Sequence, residues 1–300
     1  MTQVVLITGS STGFGRLTAE TLARRGYRVF ATMRETAGRN APARAELERI
    51  ASGNNLSLEV LEMDVTSDAS VDACITQALS RAGNIDIVIN NAAMGASGLA
   101  EAFTADEFRT VFETNFLGVV RVNRAVLPAM RRQRKGLLLH VSSAGGRVVV
   151  PYNAPYCASK FALESLADTY RYELAPFGID SVLVEPGAFR TTIFQRTFPP
   201  ADTARSAEYE HADLSSRLNH AIEKVLSDTA ATDPAEVVSA MVRLIELPAG
   251  QRPLRTIIGA AVQGITPYNE LAEKYREGLA RAFGLEELLT PSKGGAKAEA

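Results

Sequence analysis

Residues 4–15 decide the fold of this chain, and they read VVLITGSSTGFG. Four apolar residues lead to Thr8, and a segment with three glycines follows. This pattern predicts a buried strand that turns directly into a helix. Glycine permits a tight turn and lets the backbone come close to a pyrophosphate, which the N–H groups and the dipole of the helix N-terminus can then bind.

The loop is therefore predicted to bind the phosphates of a dinucleotide cofactor. Any turn between a strand and a helix can use glycine, so its place after the first strand of a βαβ unit strengthens the interpretation. The spacing is G-x-x-x-G-x-G rather than G-x-G-x-x-G. The residues expected to contact the cofactor here are Gly9, Ser11, Thr12, Gly13, Phe14 and Gly15.

Short apolar runs alternate with helical patterns along the rest of the chain, which predicts an α/β fold with a doubly wound, parallel, seven-stranded sheet of Rossmann type, flanked by helices. The expected strands are Val4–Thr8, Arg28–Thr32, Leu56–Glu62, Ile85–Asn90, Leu137–Ser142, Ser181–Glu185 and Thr256–Ile258. The expected helices are Gly15–Arg25, Arg44–Ala51, Ser70–Arg81, Ala105–Arg131, Tyr156–Ala175, Pro234–Glu246 and Pro267–Phe283.

Two stretches interrupt this alternation. Ile193–Asp233 is long and polar and contains two adjacent prolines, so we expect a substrate lid or mobile loop inserted into one catalytic domain, residues 1–290. Residues 291–300 are small and polar, which predicts a disordered tail.

The charge and composition of the chain limit the kinds of molecule that it is expected to bind and the compartment in which it is expected. The net charge is −2 and the pI about 6.0, which argues against nucleic acid as the main partner. One basic run, residues 131–135, falls at the end of a helical pattern, where cations complement the helix dipole. Cys74 and Cys157 have no metal-ligand spacing, and with no apolar run long enough to span a bilayer the chain is expected in a reducing cytoplasm. Because the first strand is expected to start at Val4, no signal peptide is expected.

Tyr156 and Lys160 lie four residues apart at the start of a helical pattern, so both project from one face of the helix. A phenol is a poor acid–base group at neutral pH unless a nearby cation stabilises the phenolate. Ser143 ends the preceding strand, and it can meet this helix at the carboxyl edge of the sheet, where ligands bind in such folds. Singly these would be a core tyrosine, a solvated lysine and a turn-forming serine; jointly they predict a catalytic site.

These motifs resemble the short-chain dehydrogenase/reductase family in its single-domain branch. The resemblance is strong over residues 4–191, and the segment YCASKFALE, residues 156–164, resembles the hydroxysteroid and retinol dehydrogenase groups. One departure is Ala93, where the family has glycine after Asn90-Asn91-Ala92. The matching motifs are the glycine loop, Asp64-Val65, Asn90-Asn91-Ala92, Asn115, Ser143, Tyr156-x-x-x-Lys160 and Pro186-Gly187.

The resemblance implies a role for each matching position. Tyr156 would be the general acid in reduction and the base in oxidation, and Ser143 would hydrogen-bond the substrate oxygen. Lys160 would bind the nicotinamide ribose and lower the pKa of Tyr156, and Asn115 would hold a water that relays protons to Lys160. Asp64 and Val65 would contact the adenine end of the cofactor. Asn91 and Ala92 would support the sheet edge near the cofactor. The nicotinamide end would be contacted by Pro186, Gly187 and Thr191.

The coenzyme is predicted from the end of the second strand. An NAD-preferring site places a carboxylate here, whereas this sequence has Met33 in that place and Arg34 next. A guanidinium can bind a 2′-phosphate and stack on adenine, so we expect NADPH to be preferred over NADH. Glu35 follows at once and can pair with Arg34 instead.

The substrate is expected to be a medium-to-large hydrophobic ketone, aldehyde or secondary alcohol, because apolar residues would flank the nicotinamide end of the cleft. They are Val148, Val149, Val150, Pro151, Tyr152, Phe194, Phe198, Tyr209 and Leu214, whose alternative role is to pack the lid onto the body. The rival hypotheses are a non-catalytic NADP-binding sensor and an isomerase or dehydratase. His140 is expected in the core, and no metal is expected at His211 and His220. The two long expected helices, Ala105–Arg131 and Tyr156–Ala175, suggest a homodimer.

Overall fold

A single parallel sheet forms the centre of the computed structural model, which describes residues 2–209, 214–227 and 232–292. Its seven strands lie in the order β3-β2-β1-β4-β5-β6-β7. The strands are β1 Val4–Ile7, β2 Arg28–Met33, β3 Leu58–Glu62, β4 Ile87–Asn90, β5 Gly136–Val141, β6 Ile179–Pro186 and β7 Arg255–Ile258. The predicted doubly wound sheet is confirmed, and the ends of its strands differ from the prediction by at most two residues.

Helices cover both faces of the sheet. In the described ranges they are α1 Gly13–Arg24, α2 Ala41–Gly53, α3 Asp68–Ala82, α4 Ala105–Phe112, α5 Gly118–Gln133, α6 Ala154–Glu173, α7 Thr203–Ala207, α8 Leu214–Ser227, α9 Pro234–Glu246 and α10 Thr266–Phe283. Alternate residues of each strand face opposite layers. Val5 and Ile7 pack with α1, α2 and α9, whereas Val4 and Leu6 pack with α3 and α5.

The expected helix Ala105–Arg131 is corrected by the structure. α4 and α5 are joined by a π-helical turn, Glu113–Leu117, and α5 continues to Gln133. A π-turn adds a residue to a helical turn, which apolar periodicity does not reveal, and such turns are frequent at functional sites. This one contains Asn115.

The inserted segment and the tail are described only in part. α7 and α8 give the insertion regular structure, although residues 210–213 with His211, residues 228–231 and the side chain of Leu214 lie outside the described part. Pro291 is buried and Ser292 N donates to Ala175 O at 2.8 Å, so the start of the tail is docked. The disorder predicted for residues 293–300 lies outside the described residues. No described helix is long and apolar enough to cross a membrane.

His140 lies in the core and the basic run begins at a helix end, as expected from the sequence. Cys74, Cys157 and His140 are buried, and burial together with the charge of Lys160 lowers the pKa of His140 to about 3. Arg131 and Arg132 lie in the last turn of α5. The next two basic residues also make contacts: Arg134 donates to Pro176 O, and Lys135 lies 3.3 Å from Asp86.

Candidate active site

The glycines of the loop after β1 are required by close packing. Gly9 has a φ of +68°, and a Cβ there would lie 2.8 Å from the Cα of Ala92. A Cβ on Gly15 would collide with Asn91 Nδ2 and lie 2.5 Å from Gly9 O. The loop therefore folds tightly against the segment that follows β4, and side chains at these two positions would push it away.

Asn91 fixes the phosphate loop to the end of β4. Its Nδ2 donates to Thr8 O at 2.8 Å and to Gly9 O at 3.1 Å. The Thr8 hydroxyl accepts from the backbone N–H groups of both Asn91 and Ala92 at 2.9 Å. The structure thus gives Asn91 a definite supporting function, and Thr8 is a partner that sequence reasoning passed over although it directly precedes Gly9.

The N-terminus of α1 has no side-chain cap. Thr12 holds the N-cap position, but its hydroxyl lies 3.0 Å from that of Thr192 rather than on a helix N–H. Neighbouring Thr191 covers Gly13, where a Cβ would lie 3.6 Å from the Thr191 Cβ. The N–H groups and positive dipole end of α1 are thus available to an anion, which fits a cofactor pyrophosphate.

Pro186 and Gly187 direct the following segment toward this loop. Pro186 ends β6, and Gly187 N donates to Ile258 O at 2.9 Å, which continues the β6–β7 pairing. A Cβ on Gly187 would lie 3.0 Å from Val262, so the chain passes close to the residues after β7. The ends of β1, β4 and β6 therefore converge at one edge of the sheet.

Arg34 directly follows β2 and is exposed. Its side chain is 47% exposed, and its Nε is 3.9 Å from Glu35 Oε1, at the limit of an ion pair. Glu35 adopts a left-handed backbone and lies closer to Arg39, at 3.3 Å. Met33, which the sequence places where an NAD-preferring site would have a carboxylate, ends β2 with its side chain buried in the core.

Asp64 and Val65 follow β3 with different environments. Asp64 Oδ1 accepts from both the N–H and the hydroxyl of Thr66, so this carboxylate forms a turn. Although burial raises the pKa of Asp64, these hydrogen bonds and the nearby Arg34 and Arg121 charges leave it below its ordinary value. Val65 packs on Gly118 of α5, so a contact of Val65 with a cofactor would come from its backbone.

Ser143 and Tyr156 are brought together around Gly145. Ser143 begins a 3₁₀ turn, Ala144–Gly146, and its Oγ accepts from Gly145 N at 3.0 Å. A Cβ on Gly145 would lie 3.4 Å from Ser143 Oγ and 3.6 Å from Tyr156 Cε1. Burial raises the pKa of Tyr156 to about 12, and hydrogen bonding with the Ser143 hydroxyl opposes that rise.

Lys160 is a buried cation next to this pair. It is 2% exposed, its Nζ donates to Val141 O at 2.8 Å, and it lies 5.7 Å from the centroid of the Tyr156 ring. Burial lowers the pKa of Lys160 to about 8, and the Glu164 charge opposes that change. A charged Lys160 at this distance favours the phenolate form of Tyr156.

Asn115 joins the π-turn to two other parts of the site. Its Nδ2 donates to Met94 O and to Ser159 Oγ, both at 3.0 Å, and its Oδ1 accepts from Met94 N at 2.9 Å. Ser159 in turn donates to Tyr156 O at 2.7 Å. Both N–H groups of Asn115 Nδ2 are thus engaged, so a proton-relaying water would have to donate to the remaining acceptor sites of Asn115. That water stays a prediction.

The chain is similar in sequence to known dehydrogenases and reductases. The family model for short chain dehydrogenase matches residues 3–202. The 3-ketodihydrosphingosine reductase of Bacteroides thetaiotaomicron is 35% identical over 261 residues, 87% of this chain and 89% of that protein. Retinol dehydrogenase 8 of Homo sapiens is 34% identical over 250 residues, 81% and 78% of the two chains.

A solved structure gives the same relationship in three dimensions. F189W actinorhodin polyketide ketoreductase with NADPH superposes with a TM-score of 0.70, covering 86% of this chain and 95% of the other at 26% identity. Strands β1 to β6 and the loop after β1 lie within residues 3–202, which the family model matches, whereas β7 lies beyond them.

Replacing Gly15 by Ala tests the close packing of the phosphate loop. Overpacking costs about 1–3 kcal/mol and displaces the loop, so affinity for a nicotinamide dinucleotide, measured by fluorescence titration, should fall by about tenfold. Gly278→Ala in α10 is the matched control, since a Cβ there meets nothing within 4 Å. It should keep wild-type affinity, and wild-type affinity in Gly15→Ala would contradict the packing argument.

Proposed function

This chain belongs to the short-chain dehydrogenase family, and from that premise we propose that it is an NADP(H)-dependent oxidoreductase. It transfers a hydride between the nicotinamide and a carbonyl or secondary alcohol carbon. The observation that carries this proposal is the grouping of Ser143, Tyr156 and buried Lys160 at the sheet edge that also bears the phosphate loop. A phenol, a hydroxyl and a buried ammonium supply what proton transfer to a carbonyl oxygen requires.

The cofactor would lie across the carboxyl edge of the sheet. Its pyrophosphate would bind the loop residues 9–15 at the uncapped N-terminus of α1, and Arg34 would bind the 2′-phosphate. Asp64 and Val65 would face the adenine, Asn91 and Ala92 would support the central part, and Pro186, Gly187 and Thr191 would border the nicotinamide. When bound, the nicotinamide supplies or accepts the hydride.

The protein residues handle the proton and the oxygen charge. In reduction, Tyr156 donates its phenolic proton to the substrate oxygen while Ser143 donates a hydrogen bond to that oxygen and stabilises its developing negative charge. Lys160 stabilises the resulting phenolate, and the Nζ donors that Val141 leaves free would hold the nicotinamide ribose. Asn115 fixes the backbone of Tyr156 through Ser159. In oxidation the same groups act in reverse.

The substrate that fits this site is a medium-to-large hydrophobic carbonyl compound. Val148 and Val149 follow the Ser143 turn with exposed fractions of 44% and 71%, and Phe194 in the insertion is 40% exposed. Exposed apolar side chains beside a polar reacting centre suit an apolar ligand. The names of the two relatives, a 3-ketodihydrosphingosine reductase and a retinol dehydrogenase, support the same class.

Two residues counted toward that surface have other contacts. Phe198 packs edge-on against Phe103, 6.0 Å between centroids, which fits the alternative that it fastens the insertion to the body. The Tyr209 hydroxyl donates to Glu101 Oε2 at 2.5 Å. The proposed apolar surface therefore keeps Phe194 and the segment Val148, Val149, Val150, Pro151 and Tyr152, and Val148, Val149 and Phe194 are its exposed large side chains.

A homodimer and a cytoplasmic location are further proposals. The long helices α5 and α6 offer outer faces for association, and Phe161 on α6 is 39% exposed. The two cysteines are free and buried, which suits a reducing compartment.

A panel of ketones, aldehydes and secondary alcohols tests the substrate class. Long-chain, aryl or polycyclic ketones should show higher kcat/KM than small charged carbonyl compounds such as pyruvate, because each buried CH₂ contributes about 0.8 kcal/mol to binding. NADPH oxidation followed by absorbance measures both groups. Preference for the charged compounds would contradict the apolar surface.

Tyr156→Phe tests the proton donor, because it keeps the ring and removes the hydroxyl. Turnover should fall by about 10²–10⁴-fold with cofactor affinity little changed. Tyr172→Phe is the matched control on the same helix, since the Tyr172 hydroxyl donates to Arg276 O at 3.2 Å and lies outside the site. Near-normal turnover in Tyr156→Phe would refute the assigned role.

Arg34→Ala tests the coenzyme preference, and it avoids Met33, where a carboxylate would enter the core. Loss of a charged hydrogen bond should weaken NADPH by about tenfold or more while NADH is unchanged. Arg39→Ala removes a neighbouring exposed charge that also contacts Glu35 and should change neither affinity. A wild-type protein that uses NADH as readily as NADPH would remove the basis for this role of Arg34.

A further inference from the structure

A row of large apolar side chains on α10 lies open to solvent. The row consists of Tyr268, Leu271, Tyr275, Leu279 and Phe283, each between 49% and 73% exposed. Their spacing of three or four residues places all five on one face of the helix. We call this row the α10 stripe. A continuous exposed apolar surface of this kind marks a place where another molecule binds.

The opposite face of α10 attaches the helix to the body of the protein. Asn269 Oδ1 accepts from Arg147 Nε at 2.7 Å, and Asn269 Nδ2 donates to Glu185 Oε2 at 2.6 Å. Two turns farther along, the carbonyl of Arg276 accepts from the Tyr172 hydroxyl at 3.2 Å. These contacts fix α10 to α6 and to the end of β6, so the stripe points away from the body.

The stripe begins beside the proposed substrate surface. The guanidinium of Arg147 lies 4.6 Å from the ring centroid of Tyr268, the first residue of the stripe. The exposed side chains of Val148 and Val149 directly follow Arg147 in the chain. A molecule that covers the stripe would therefore lie next to the mouth of the proposed active site.

Cationic side chains border the stripe. At about 100° per residue, Lys274 and Arg281 lie about 100° and about 120° from Tyr275, on the same side of the helix. Glu270 and Glu277 lie farther round on that side, at about 140° and about 160°. Arg281 Nη2 is 3.1 Å from Glu277 Oε2, and its side chain is still 61% exposed. The apolar stems of lysine and arginine can lie along an apolar surface while their charged ends reach a neighbouring phosphate.

A lipid bilayer fits the stripe better than a second copy of the chain does. α10 has 18 residues, so it is about 27 Å long and about 10 Å wide, and one face offers roughly 300 Å². A stable dimer buries about 800 Å² on each partner. Residues 293–300 contain no apolar side chain larger than alanine, so they offer the stripe no apolar partner.

The composition of the stripe also favours a bilayer. Leucine and phenylalanine on one face with lysine and arginine at its border are typical of helices that lie in a membrane interface. Tyr268 and Tyr275 add an apolar ring with a polar end, which suits the level of the lipid headgroups. Glu286 and Glu287 follow the helix and oppose anionic lipid, so the apolar contact must supply most of the binding.

We propose that the α10 stripe binds the surface of a phospholipid bilayer, with Lys274 and Arg281 at the lipid phosphates. The helix would lie along the interface, and its apolar face would enter the boundary between headgroups and acyl chains. This binding goes beyond the proposed activity and needs no turnover. Only one consequence rests on the proposed function: the mouth beside Val148 and Val149 would face the bilayer, so an apolar carbonyl compound could enter directly from the lipid.

Tyr275→Trp tests this contact, because the chain contains no tryptophan and the new indole is a single fluorescent probe at the centre of the stripe. On addition of phosphatidylcholine vesicles we expect its emission to shift to shorter wavelength, since the indole leaves water. Leu17→Trp is the matched control, an exposed apolar position on α1, which packs on the other face of the sheet from α6. Its emission should not change.

Two results of the fluorescence experiment would overturn the proposal. Emission of Tyr275→Trp that stays at the wavelength of a solvated indole in the presence of vesicles would show that the stripe does not bind lipid. Emission that is already at short wavelength in buffer, and does not change with vesicles, would show that protein covers the stripe.

A double variant, Leu271→Ser with Leu279→Ser, tests the same surface in the native sequence. Both side chains are exposed, so folding should be little affected. Its partition coefficient in cosedimentation with phosphatidylcholine vesicles should be about tenfold or more below that of the wild type. Leu17→Ser should bind as the wild type does, and wild-type binding by the double variant would contradict the proposal.

Sedimentation velocity without lipid distinguishes the second copy as occupant. A wild-type dimer that the double variant loses, together with no vesicle binding by the wild type, would assign the stripe to self-association and overturn the proposal. None of these measurements uses cofactor or substrate. A protein inactive on every carbonyl compound would therefore refute the proposed function without changing the result for the stripe.

Discussion

Lys160 places an ammonium group in the protein interior, where loss of hydration opposes its charge. The surroundings compensate from three directions: a carbonyl of β5, the ring of Tyr156 and the carboxylate of Glu164. Tyr156 and Glu164 belong to α6 itself, and the hydrogen bond to Val141 O ties α6 to β5. A buried cation is stable only if its partners hold fixed positions, so the need to keep Lys160 charged constrains the packing of α6 against β5, β7 and the Ser143 turn.

The cofactor-binding half of the proposed site, the loop after β1, is held by hydrogen bonds and close backbone packing rather than by charged side chains. At the phosphate loop, hydrogen bonds of Thr8 and Asn91 join the ends of β1 and β4, and the glycines let the backbones touch. This leaves the N-terminus of α1 free of a side-chain cap. The loop is therefore rigid where it contacts the sheet and polar where it would contact a phosphate. Such a loop loses little conformational entropy when it binds an anion.

The two halves are linked through α6 and the segments packed on it. Asn115 in the π-turn reaches Met94 after β4 and Ser159 beside Lys160, and Arg147 reaches α10 through Asn269. Asn115 thus connects the segment after β4 to the backbone of Tyr156 through Ser159.

Much of this could be read from the sequence. Continuous apolar runs and a loop with three glycines determine a parallel sheet with a phosphate-binding edge, and a tyrosine and a lysine four residues apart must share one helix face. These features are local, because they depend on side-chain period and backbone freedom. The π-turn at Asn115, the burial of Met33 and the joining of Glu164, Glu185, Arg147 and Arg255 were decided by the tertiary structure alone. They arise between segments distant in sequence, and whether a charged side chain is solvated or buried depends on which segments close over it.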